Sequence, residues 1–162
     1  KELLQCIVFL RPLGLRLECR ALSLRRTIPD YYGEGLLWKE LAGFAGQRRI
    51  ALTGEPFSIY HDPDYREKQV DVELCVPIKE SVADRDGFTC RTVEAVPFMA
   101  STMVCGDFSN IAGAFQAFAR WLQDNEVYRM AGLTRQIVHR GPWNEDDPDH
   151  YLTELQIPLE MA

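Results

Sequence analysis

Closely spaced metal ligands are missing from this 162-residue chain: it has no CxxC pair, no HxxH or HxxxH spacing, and three histidines in all. That excludes a zinc site recognisable from sequence. No GxSxG elbow, GxxxxGKS phosphate loop or GxGxxG fingerprint occurs, so the best-marked hydrolase, nucleotide and dinucleotide chemistries drop out. No apolar run approaches the roughly 20 residues of a bilayer-crossing helix. The opening KELLQCIVFL is too short and too weakly flanked to be a secretory signal. Positive charge is scarce, with 18 Lys and Arg against 24 Asp and Glu and a net charge of −6. Phosphate binding needs a basic face, and the patch at Arg48 and Arg49 is too small to supply one. Cys6, Cys19, Cys75, Cys90 and Cys105 are odd in number and widely spaced. They read as small buried hydrophobes in a reducing cytoplasm, not as a disulfide framework. We therefore expect a cytoplasmic protein with no cofactor, no metal, no membrane partner and no direct nucleic-acid binding.

What the chain has is an internal echo. DVELCVPIKE (residues 71–80) returns as YLTELQIPLE (residues 151–160), aligning Glu73 with Glu154 and Pro77 with Pro158, 81 positions apart (154 − 73). Upstream, Gly54, Ile59 and His61 recur as Gly132, Ile137 and His139, 78 positions on (139 − 61). Two registers this close imply one supersecondary unit used twice. Duplicated units pack about a pseudo-twofold axis, and the groove between them is a natural ligand seat.

The patterning gives the unit its order. In the first half CRALSLRRTI reads as a strand ended by Pro29-Asp30. A helix follows with Leu37, Leu41 and Phe44 on its apolar stripe and Gly46 as its stop, then the strands PFSIYHD and VDVELCVPI. The second half repeats this with VPFMASTMVC, a helix capped by Ser109 and striped by Ile111, Phe115, Phe118 and Leu122, then LTRQIVHR and YLTELQIPL. The expected class is α+β: a doubled strand-helix-strand-strand unit, each half gaining another strand from its connecting segment, with antiparallel sheets forming a central ligand groove and helices on the outer faces. The expected boundaries are residues 1–17 as an extension, extra strand or linker remnant, and 18–162 as the domain, with halves 18–80 and 88–162. Ser81–Gly87 is the expected joint.

Strand alternation then locates charge. Val70, Val72, Leu74 and Val76 form one face, so Asp71, Glu73 and Cys75 form the other; Glu154 and Gln156 oppose Thr153, Leu155 and Ile157 in the same way. A carboxylate inside a strand is costly unless it meets water or a partner. Glu154 is the leading candidate ligand group. Glu73 is a second, or else an ion-pair partner of Arg25, Arg26 or Arg135. Tyr31, Tyr32, Trp38, Phe57, Tyr60, Tyr128 and Trp143 are the candidate aromatic walls, suited to flat or cationic ligands. Trp143 stands out, because its long acidic loop makes little core demand. His61 and His139 sit at equivalent strand positions and are read as structural. The acidic run Glu145, Asp146, Asp147 and Asp149 is interrupted by Pro148, so it is read as a solvated turn rather than a calcium loop.

Ile59-Tyr60-His61-Asp62, a polar gap, Asp71-Val72-Glu73 and the following apolar-Pro resemble the gyrase-inhibitor-like (GyrI-like) effector-binding domain. That domain occurs at the C-terminus of AraC-type and MerR-type multidrug regulators. The likeness covers about Cys19 to Leu159, including the Trp-bearing loop and the closing Thr153-Glu154-Leu155. It implies a cleft for hydrophobic or cationic aromatic small molecules, with Glu154 as the counter-charge among tyrosines and tryptophans. Cys105-Gly106-Asp107-Phe108 departs from the family's usual second turn, which sets that turn aside as a ligand element. The chain starts at Lys1, and no helix-turn-helix precedes the domain, so the expectation is either a standalone protein or a piece of a regulator with a fused or separate DNA-binding domain. Two alternatives remain open. One is a hydrolase of cyclopropane-bearing natural products using Glu154 and Trp143; the other is a gyrase-inhibitor-like protein-binding module.

Overall fold

The computed structural model describes residues 9–11 and 18–162. The protein is α+β and divides into two compact units. The first is Arg16–Val96; the second is Pro97–Ala162 together with the short strand β1 (Phe9–Arg11).

In the first unit, β2 (Cys19–Ile28) ends at Pro29. The Asp30 side chain accepts a hydrogen bond from the Tyr32 amide and starts a 3-10 turn, Tyr31–Gly33. That turn feeds α1 (Glu34–Gln47), whose Leu37, Leu41 and Ala45 recur every four residues and so share one buried face. Two sequence expectations shift here. Phe44 is half-buried and stacks on Phe88 at 4.1 Å, leaving the core position to Ala45. The helix also runs past Gly46 to Gln47, and the reversal falls at Arg49 with φ 53. Then come β3 (Phe57–Tyr60), β4 (Val70–Pro77) and β5 (Phe88–Val93), giving an antiparallel sheet in the order β3-β4-β2-β5.

β5 corrects the boundary expected between the halves. Asp86 and Gly87, with φ 55 and 85, turn the chain back so that β5 pairs with β2 from Cys19↔Val93 to Leu24↔Phe88. Ser81–Gly87 is thus a loop inside the first unit, and the second begins at Pro97 instead of residue 88.

The second unit repeats the order with β6 (Met99–Cys105), α2 (Ile111–Asp124), β7 (Tyr128–Met130), β8 (Arg135–Arg140) and β9 (Leu152–Met161). Its sheet runs β1-β6-β9-β8, with β7 also on β9. Residues 9–11, expected in an N-terminal extension, are paired with β6; the remainder of 1–17 lies outside the described residues. Asp107, not Ser109, supplies the cap: its carboxylate accepts from the Ser109 amide and opens a 3-10 turn, Phe108–Asn110, one step before α2. Phe118 of α2 packs with Ala100, Ile157 and Leu159, so α2 covers the apolar face of the sheet, as alternation requires.

The repeated Gly and Pro touch in both units. A Cβ on Gly54 would lie 3.0 Å from Pro77 Cγ, and one on Gly132 would lie 3.3 Å from Pro158 Cβ. Thr53 and Ala131 also donate their amides to the carbonyls of Pro77 and Pro158. Both distances are tighter than ordinary Cβ contacts, so any side chain would force the proline ring to give, which favours glycine at both positions. Of the cysteines, Cys75 is buried as expected, whereas Cys19 and Cys90 are half-buried and Cys105 is exposed; Cys6 lies outside the described residues. Cys105 is the last residue of β6, next to the Gly106 turn. Among the described residues no helix is long and apolar enough to cross a membrane.

Candidate functional site

Directly opposed residues in an antiparallel ladder share a face, so the registers place every polar strand residue. In the first unit, Ile59↔Glu73↔Arg25 and Phe57↔Cys75↔Ser23 lie on the face away from α1. In the second, Met103↔Glu154↔Ile137 and Ser101↔Gln156↔Arg135 lie on the face away from α2. Glu73 and Glu154 therefore occupy matching positions, each in its own unit.

Their surroundings repeat as well. His61 Nε2 lies 2.9 Å from Glu73 Oε1, and His139 Nε2 lies 3.5 Å from Glu154 Oε2. Ser101 Oγ donates to Glu154 at 3.0 Å; the matching Ser23 helps hold the charge of Glu73, with its Oγ 2.7 Å from Thr89 Oγ1. The repeated histidine thus serves the repeated carboxylate.

Glu73 is held by an ion pair, and its partner differs from the three arginines named from sequence. Arg91, on β5, donates from Nε at 2.6 Å and from Nη2 at 2.8 Å, a bidentate clamp. Arg25 instead grips Asp71, and Arg26 reaches Glu40. Burial opposes the charge on Glu73, but Arg91 and His61 prevail and lower its pKa to about 2. Glu154 is 5% exposed and also accepts from Gln156 Nε2 at 3.3 Å.

The aromatic candidates separate into groups. Phe57 is buried on the Glu73 face, one pair along from Ile59. Tyr60 alternates to the opposite face and points at α1. There it meets Tyr31 edge-on, with centroids 5.5 Å apart, and Tyr31 stacks on Tyr65 at 6.0 Å. Tyr32 is exposed. In the second unit Tyr128 stacks on Trp121 at 5.7 Å and tilts against Phe98. Trp143, 46% exposed, lies beside Gly141 in the loop before the 3-10 turn Pro148–His150.

At the centre of the Tyr31 and Tyr60 group is a residue that the sequence reading passed over. Glu34, the first residue of α1, is 2% exposed. Tyr60 Oη donates to its Oε1; Ser58 Oγ and Trp38 Nε1 donate to its Oε2 at 3.2 and 3.4 Å. Burial raises its pKa, and these neutral donors only partly counter the rise. Two signals were present in the sequence: the i, i+4 spacing of Glu34 and Trp38, and the alternation of FSIY, which turns Ser58 and Tyr60 to the helix side. Among the described residues no cluster of His, Cys, Asp and Glu is arranged to hold a metal ion.

Antiparallel strands with a helix on the apolar face of each unit are a fold consistent with GyrI-like domains. Solved structures carry the likeness. The C-terminal domain of EcmrR is matched over 98% of both chains with a TM-score of 0.81 at 24% identity. In the EcmrR–DNA complex the match has a TM-score of 0.82 and spans 58% of the EcmrR chain. A hydrolase from Listeria innocua (TM-score 0.62, 10% identity, 94% of this chain and 91% of that one) shares the fold. So does SAV2435, solved bound to tetraphenylphosphonium (TM-score 0.55, 10% identity, 95% and 94%). No protein-family model and no curated protein matches the sequence. The resemblance read from the sequence therefore holds at the level of the fold.

Proposed function

We propose that this chain is an effector-binding domain for bulky, aromatic, cationic small molecules, with Glu154 as the counter-charge. The observation that carries this reading is the Glu154 carboxylate. It is buried on a strand face lined by Ser101, Gln156, Arg135 and His139, where apolar residues would pack more cheaply. Desolvated carboxylates attract organic cations more strongly than solvated ones, because little water competes for the charge. The tetraphenylphosphonium bound to SAV2435 belongs to that ligand class. Regulation of transcription follows if the domain is joined to a DNA-binding partner, as the share of the EcmrR chain it matches suggests. Such coupling requires that the ligand bind two states of the regulator with different affinity.

Isothermal titration with tetraphenylphosphonium tests the proposal. Glu154→Gln removes the charge and keeps the shape, and binding should weaken at least about tenfold, equivalent to 1.4 kcal/mol. Unaltered affinity in that variant sinks the role of Glu154, and no heat from the wild-type protein at millimolar ligand sinks the ligand class. Incubation with an electrophilic cyclopropane should leave the compound unconsumed; turnover lost in Glu154→Gln would instead make the chain a hydrolase.

A further inference from the structure

We propose that the outer face of α1, together with the turn that leads into β5, is a contact surface for a second copy of this chain, arranged about a twofold axis. The surface lies wholly within the first unit, and the inference does not depend on the Glu154 reading.

Three observations support it. First, the surface is indented. Between α1 and the Asp86-Gly87 turn runs a shallow groove of about 340 Å³, floored by the stacked rings of Phe44 and Phe88. Phe44 is only half-buried there, so further apolar surface laid on the pair would gain from its removal from water. Second, α1 is thinned on this side. Gly35, Gly43 and Gly46 all lie within the helix, where glycine lowers stability, and a Cβ on any of them would meet open space. Packing among the described residues therefore does not account for Gly43, which lines the groove itself. A facing chain does account for it, because a helix without a side chain at that point lets another surface reach the aromatic floor. Third, the two banks carry opposite charge. Exposed Lys39 stands on the α1 bank and exposed Asp86 on the turn bank. Arg85 lies 3.5 Å from Asp86, but both side chains are mostly exposed, so water screens that pair. Glu40, also on the α1 bank, is offset by Arg26 at 3.4 Å. A twofold axis through the groove sets the α1 bank of each copy over the turn bank of the other. Lys39 then faces the partner's Asp86 while Asp86 faces the partner's Lys39, so the surface is complementary to itself. That self-complementarity selects a second copy as the occupant.

Sedimentation velocity on the whole chain, from about 10 μM to about 1 mM, should show a monomer–dimer equilibrium. Lys39→Glu and Asp86→Lys each set like charges face to face, and each should weaken the dimer at least about tenfold. An equimolar mixture of the two variants should recover the wild-type affinity, because both pairs then join opposite signs. Gly43→Gln should also weaken association at least about tenfold, while the dilute protein melts at a higher temperature than wild type, since glutamine is the better helix former. Asp86 has φ 55; should lysine there unsettle the turn, Asp86→Asn keeps the backbone and should weaken the dimer about threefold or more. A chain still monomeric at the highest concentration overturns the proposal and returns the groove to a partner of other chemistry. A dimer indifferent to both charge reversals, or a mixture no tighter than its components, overturns it equally, by placing the interface on another face.

Discussion

Removing Arg91 exposes the energetics of the matched carboxylates most directly. Arg91→Met keeps much of the apolar stem and deletes the guanidinium that clamps Glu73 through two hydrogen bonds. The carboxylate is left buried beside His61 and Ser23. Stripping one partner from a buried ion pair costs about 3–5 kcal/mol. The Arg91 side chain is 40% exposed, so water screens part of the interaction and the loss should fall near the lower end, about 3 kcal/mol. In a chain of this length each kcal/mol shifts the melting temperature by about 2–4 °C, which predicts a drop of about 6–12 °C at pH 7.

The pH dependence supplies a second check. In the folded protein Glu73 has a pKa of about 2, below the ordinary value of 4.5. Its contribution to stability is therefore complete above pH 4.5 and disappears as the pH falls toward 2. The stability gap between wild type and Arg91→Met should be widest near neutrality and close across that window. Urea denaturation at pH 7, 5, 4 and 3 measures it. Adding Glu73→Gln to Arg91→Met should recover part of the loss, because no unpaired charge then remains buried. A gap below about 1 kcal/mol at pH 7, the range of an exposed pair, or a gap that persists unchanged to pH 3, would refute the reasoning.

The remaining predictions concern packing and surface charge. Gly54→Ala forces a Cβ to 3.0 Å from Pro77 Cγ, while Gly132→Ala meets Pro158 at 3.3 Å; chemical denaturation should show the first losing about 1–3 kcal/mol and the second less. Arg25→Ala breaks a bidentate pair with Asp71 whose arginine side is mostly exposed. It should change stability by under about 1 kcal/mol, and that small effect should shrink further in 0.5 M salt.

The order of elements was legible because alternation and helical spacing are local, and because the echo of Gly, Ile, His, Glu and Pro made each half a check on the other. The same echo led to Glu154 and Glu73, and both lie on the strand face that alternation assigned to them. An extra strand from the segment joining the halves was expected, but its place and its partner were not legible, because Phe88–Val93 has no continuous apolar run and its pairing with β2 is long-range. The same distance hid Arg91 as the partner of Glu73, although Arg25 stands directly opposite in the register. Glu34 was overlooked because a glutamate opening a helix is ordinarily a solvated group favoured by the helix dipole. Nothing local marks it as buried until Ser58 and Tyr60 are seen across the helix–sheet layer. Tyr60 itself belongs with that layer and not with Glu73, a consequence of its being one residue from Ile59.

The paired Gly–Pro contacts also bear on how the chain finds its alignment. A one-residue slip of β4 or β9 would exchange the two sides of the strand, driving Glu73 or Glu154 into hydrocarbon. The same slip would move Pro77 or Pro158 off its glycine and set the ring against a neighbour that carries a side chain. Each unit thus has its own mechanical key, cut so that only one tooth pattern closes.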